Sequence, residues 1–151
     1  MALFQSAAAK GQEATPSTYQ AGIVTTAIYT YTIAANYATA TDKIELGRLP
    51  ADVQLVAATL IGSNLGGAAN AVLGIMSGEP GDPDDARTVL TTAGNQIKGA
   101  TAINNAAFSV TQAEALAIPR SDKHRAIGVT LSSDVTGGAA KTLTLRIDYV
   151  A

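Results

Sequence analysis

Cysteine and tryptophan are absent from the 151 residues, and histidine occurs once, at His124. Without cysteine there is no disulfide framework and no thiolate nucleophile, and one histidine cannot supply the usual zinc ligand set. Charge is scarce as well: Asp, Glu, Lys and Arg make up 15% of the chain, against about 25% in an average soluble domain. Ten basic residues stand against twelve acidic ones, for a net charge of −2. No basic run displaces phosphate counterions, and the scattered aromatics offer no base-stacking platform, which argues against a nucleic-acid partner. No window approaches the ~18 apolar residues of a membrane helix. Residues Met1 to Glu13 lack an apolar core long enough for a signal peptide, so the expected compartment is the cytoplasm or whatever assembles there.

What the chain does have is alanine and threonine. Thirty alanines inflate the 47% apolar content, and eighteen threonines accompany them. The larger apolar side chains suffice for one core, which suits a single domain of this length. The small side chains suggest flat, closely packed surfaces, some of them covered by neighbouring subunits.

Residues 1–21 form a stretch of Ala, Gly, Ser, Thr and Gln with no sustained period. It is read as an extended N-terminal arm, since ordering it costs more entropy than its few apolar side chains return. Leu3, Phe4, Pro16 and Tyr19 are its candidate partner-binding residues, and deleting Met1 to Gln20 is expected to leave the folded core intact. Residues 22–151 form the domain proper. Strands are expected over Ile23–Ile33, Lys43–Arg48, Val53–Ile61, Ala71–Met76, Arg87–Thr92, Ala106–Val110, Arg125–Leu131 and Lys141–Val150, on β-branched content or period-two alternation. The last is clearest: Leu143, Leu145, Ile147 and Tyr149 face inward, and Thr142, Thr144, Arg146 and Asp148 face outward. Ser132–Ala140 reads as a hairpin joining the last two strands. Thr111-Gln-Ala-Glu114 fits a capping box that opens one short helical turn. About eight strands and almost no helix predict an all-β fold, an antiparallel, jelly-roll-like β-sandwich. Ile28, Leu46, Leu55, Leu73, Ile127, Val129 and Leu145 are its expected core.

The search for chemistry returns little. His124 lies in the charged turn Arg120–Arg125 beside Asp122, but no Gly-x-Ser-x-Gly elbow exists to complete a nucleophilic site, and it reads as a solvated turn residue. Glu79, Asp82, Asp84 and Asp85 offer hard oxygen ligands suited to calcium. Their spacing is not that of an EF-hand, and Pro80 and Pro83 restrict convergence, so the segment reads as an exposed acidic loop. The glycines of Gly62–Gly67 have no following lysine and read as turn formers rather than a phosphate cradle. No catalytic residue, cofactor, metal or small-molecule substrate is assigned.

The order of certain features resembles a family of small structural proteins from tailed-phage head gene clusters. They are Thr15-Pro-Ser-Thr18, Gly22-Ile-Val, Asp42-Lys-Ile-Glu-Leu46 leading to Leu49-Pro50, Val53–Leu60, Gly74-Ile-Met-Ser-Gly78, Gly81-Asp82-Pro83 and Arg125-Ala-Ile-Gly-Val129. The resemblance implies a capsid cement or decoration protein: a jelly-roll sandwich, often a homotrimer, on the capsid exterior of the virion. There it would clamp neighbouring copies of the major capsid protein. It implies no catalytic residues, no nucleic acid and no membrane. Another phage part with the same fold (a head fibre base, a tail or spike domain, or a receptor- or carbohydrate-binding jelly roll) stands as the alternative, with the sugar-binding version weakened by the missing tryptophan.

Overall fold

A computed structural model describes residues 2–13, 22–67 and 69–151. Among the described residues nine strands and one short helix follow in the order β1 (Leu3–Gln5), β2 (Val24–Thr32), β3 (Lys43–Leu49), β4 (Gln54–Ser63), β5 (Asn70–Ile75), β6 (Gln96–Ala102), β7 (Ala106–Ser109), α1 (Gln112–Leu116), β8 (Arg125–Leu131) and β9 (Thr142–Val150). They form a five-stranded sheet, β1-β3-β8-β5-β6, and a four-stranded sheet, β2-β9-β4-β7. The expected all-β sandwich is what the chain adopts.

The connectivity has a simple logic. Apart from β1, the neighbours β5–β6, β3–β8 and β4–β7, and β2–β9, are antiparallel pairs nested one outside the next along the chain. The polypeptide doubles back once, between β5 and β6, and the doubled ribbon wraps so that alternate pairs fall in opposite sheets. Eight strands wound this way make a jelly roll.

The core lies between the sheets. Leu143, Leu145, Ile147 and Tyr149 from β9 meet Ile44, Leu46, Leu73, Ile127 and Val129 from the other sheet, all fully buried. Gly47, beside a register shift in β3, lies directly under the Tyr29 ring of the opposite sheet. A Cβ on Gly47 would lie 2.2 Å from the Tyr29 ring, so only glycine lets that ring cover the strand. The Tyr29 hydroxyl then donates to the Arg48 carbonyl at 2.8 Å. Tyr37 plays a similar bridging part: its hydroxyl donates to the Asp42 carbonyl at 2.7 Å and accepts from the Leu131 amide at 2.9 Å. Burial is the main cause that pushes its pKa up to about 12. The capping box of α1 is present, with Thr111 and Glu114 satisfying each other's backbone amides.

Several expectations need correction. Ile28 is 62% exposed, because β2 turns Ala27 and Tyr29 inward and its even-numbered residues outward. Arg87–Thr92 is not a full strand. Val89 makes one bridge to Met76, while Arg87 turns into the protein interior. Gln96–Ala102 hides a real strand instead, β6, which buries only Ile97 fully and so leaves no periodic signal. Ser132–Ala140 is not a hairpin, because β8 and β9 lie in different sheets and the segment crosses between them.

The stretch 1–21 is seated over part of its length. β1 pairs in parallel with β3, and Ser6, Ala8 and Ala9 are buried. Stripping Met1–Gln20 would therefore uncover apolar surface, contrary to the expectation that the core would not notice. Residues 14–21, and with them the boundary at Ala21, lie outside the described residues.

Candidate functional site

Of the candidate partner-binding residues, Leu3 and Phe4 are half-buried in β1, and the Phe4 ring lies 6.4 Å from that of Tyr37. Phe4 packs against the domain's own core and Leu3 pairs with Lys43 of β3; Pro16 and Tyr19 lie outside the described residues. β1 is held by more than apolar contact. Gln5 Nε2 donates to Glu45 Oε2 at 2.7 Å, and the Ser6 hydroxyl donates to the Leu46 carbonyl while accepting from the Ala9 amide.

Glu45 is the hub of this side. It is fully buried in β3 and takes Arg87 Nη1 at 2.7 Å on the oxygen that Gln5 also reaches. Its other oxygen accepts from the Gly81 amide at 2.9 Å. Arg87 in turn donates to the Ser77 and Asp82 carbonyls, and Lys43 Nζ reaches the Asp85 carbonyl. A carboxylate in an apolar interior persists only when paired and hydrogen-bonded, and here one such pair fastens the acidic loop to β1 and β3. The loop's carboxylates are exposed and turned to local use: Asp82 Oδ1 caps the Asp84 amide at 3.0 Å, and Asp84 Oδ1 caps the Ala86 amide at 2.9 Å. Among the described residues no three His, Cys, Asp or Glu side chains gather as a metal would require. Next to the hub, Asp42 accepts from the Ala38 and Ala2 amides and from the Thr41 hydroxyl. Burial pushes its pKa up, but these donors outweigh it and the net direction is down.

His124 is exposed, and its Nδ1 accepts from the Ala51 amide at 3.1 Å. That contact ties two turns together and leaves the ring without a nucleophile.

A further surface is the outer face of the four-stranded sheet, of which only the β9 part was legible in the sequence. Val24, Thr26, Ile28, Thr30 and Thr32 of β2 lie beside Val150, Asp148, Arg146, Thr144 and Thr142 of β9, and Thr59 and Ile61 of β4 follow. The polar members satisfy one another across strands. Thr26 meets Asp148 at 2.6 Å, Thr30 meets Thr144 at 3.3 Å, Thr59 meets Ser109 at 3.1 Å, and Arg146 pairs with Asp148 at 3.1 Å. Between them Val24, Ile28 and Ile61 stand free in solvent. Such a flat face, with its polar groups already paired, costs little to desolvate, and it suits docking rather than reaction. The signal was available: β9 alternates unambiguously, and antiparallel pairing would have carried its parity onto β2.

No protein-family model and no curated protein matches the chain. Among solved structures it is similar to a chain in the capsid of Ralstonia phage GP4, with 35% identity over 99% of this chain and 97% of that one, at a TM-score of 0.84. It also shares its fold with a chain of the cyanophage Pam1 capsid asymmetric unit, 16% identical over 91% of each, at a TM-score of 0.54. Both neighbours are parts of capsids.

Proposed function

The chain belongs to a family of bacteriophage capsid proteins, and we propose that within the virion it is an accessory subunit that binds the capsid exterior and stabilises contacts between copies of the major capsid protein. The carrying observation is the 35% identity to a capsid chain, sustained over nearly the whole of both polypeptides. A likeness of that length favours a capsid part over a fibre, tail or receptor-binding part. Chemistry supports the reading. The surface is low in charge, the sheet face is Thr-rich and pre-paired, and weak contacts repeated over a lattice add up to firm attachment.

In this reading the working unit is a homotrimer, and the stretch 1–21 is the strap to capsid or sister subunit, with Leu3, Phe4, Pro16 and Tyr19 as its contacts. Because Ala2–Glu13 also serves the chain's own sheet, point substitution tests the strap better than deletion does. Purified, expanded heads lacking this protein should bind the added chain to a fixed stoichiometry on co-sedimentation, whereas free capsid subunits should not. Tyr19→Ala should lower the occupancy without moving the melting temperature. Heads that bind none of the wild-type chain would defeat the proposal.

A further inference from the structure

The four sheet edges are not alike. β1 is three residues long, and β7 is four residues long and runs directly into α1. β6 carries Lys98 and is thrown out of register with β5 twice. Short strands, lysines and bulges are the means by which proteins keep an edge from recruiting another strand. β2 has none of them. It is nine residues long, Val-Thr-Thr-Ala-Ile-Tyr-Thr-Tyr-Thr, with no charge, no proline and no shift in its register with β9. No described strand pairs along its outer side.

The parity of this edge can be worked out. The Ile33 amide donates to the Lys141 carbonyl, in register with β2 and β9, so odd-numbered residues turn their backbone toward β9. Val24, Thr26, Ile28 and Thr30 therefore point their N–H and C=O groups outward, and theirs are also the side chains exposed on the outer face. Backbone donors and apolar side chains lie on the same residues.

We propose that β2 is a self-pairing edge, joining β2 of a second copy antiparallel across a two-fold axis at Ile28. The strand's own sequence identifies the occupant. Centred on Ile28, Thr26 faces Thr30 of the second copy, Val24 faces Thr32, Thr25 faces Tyr31, and Ile28 faces Ile28. Ala27 faces Tyr29, and every other pair joins β-branched or aromatic partners, the combinations that favour cross-strand contact; no like charges meet. The nearest charges, Arg146 and Asp148, neutralise each other one strand back from the seam. The contact is isologous and adds a two-fold seam to whatever other assembly the subunit forms. It does not depend on capsid binding.

The absence of cysteine provides a direct test. A residue facing itself in such a pair places its Cα atoms about 5.5 Å apart, within disulfide range. Ile28→Cys should oxidise to a cross-linked pair of chains, while Ile61→Cys, exposed on the same face but inside the sheet, should not. In sedimentation over rising protein concentration, the wild-type assembly should approach twice the mass of Ile28→Lys at an unchanged melting temperature. Equal cross-linking of the two cysteine variants, or equal mass of wild type and Ile28→Lys, would overturn the proposal. If the masses agree but Ile28→Lys no longer binds heads, the edge belongs to a capsid segment rather than to a second copy.

Discussion

The five-stranded sheet brings ionised side chains into buried ground, Lys43, Glu45 and Arg87 with Asp42 at the margin, whereas the four-stranded sheet keeps its charges, Arg146 and Asp148, on the outside. One sheet therefore adds a few buried polar contacts to its apolar packing, while the other packs apolar side chains inside and keeps its charged pair on the outer face. The first kind of joint is specific and brittle. The second is tolerant, and its outer face stays free to meet a partner.

Removing one half of the buried pair tests the brittle side. Arg87→Ala leaves Glu45 buried and short of its main partner, and should cost about 3–5 kcal/mol in urea unfolding. Adding Glu45→Gln should recover part of that loss, a coupling that a double-mutant cycle reads directly. On the other sheet, Leu145→Ala removes a fully buried side chain and should cost ~2–5 kcal/mol with no dependence on salt.

A milder test uses the Lys98–Glu114 bridge between β6 and α1, at 2.8 Å. Lys98 first, and then the Thr111 amide, hold the Glu114 pKa down at about 2, from 4.5. A lowered carboxyl pKa stabilises the fold fully above the unfolded value and loses that contribution as the pH falls from about 4.5 toward 2. The side chain is 37% exposed, so solvent screening keeps the effect below about 1 kcal/mol. Glu114→Gln should accordingly flatten the acid limb of the stability curve. Smallest of all, Ile28→Thr should change thermal stability by no more than about 0.5 kcal/mol, because nothing in its own domain covers Ile28. A larger loss would place Ile28 in a buried contact and erase the contrast between the sheets.

How far the sequence carried depends on whether period two was visible. β9 alternates strictly, so its face and core residues were readable in advance. β2 misled because Ile23, Val24 and Ile28 look like core by type alone, while the residues that enter the core are Ala27 and Tyr29. β1 is too short and β6 too polar to signal a strand. The Glu45–Arg87 latch joins residues 42 positions apart. No local pattern marks a carboxylate that a distant arginine will bury.

The nested winding has a consequence for how the protein comes into being. β9 is an interior strand of its sheet, flanked by β2 and β4, and it binds Thr26 to Asp148 across 122 positions. While the ribosome has yet to deliver β9, β2 and β4 have no hydrogen-bonding neighbour in common, and half of the molecule must wait. Closure of the four-stranded sheet is thus deferred until β9 has been made, and it is slow in the way that long-range pairing entails.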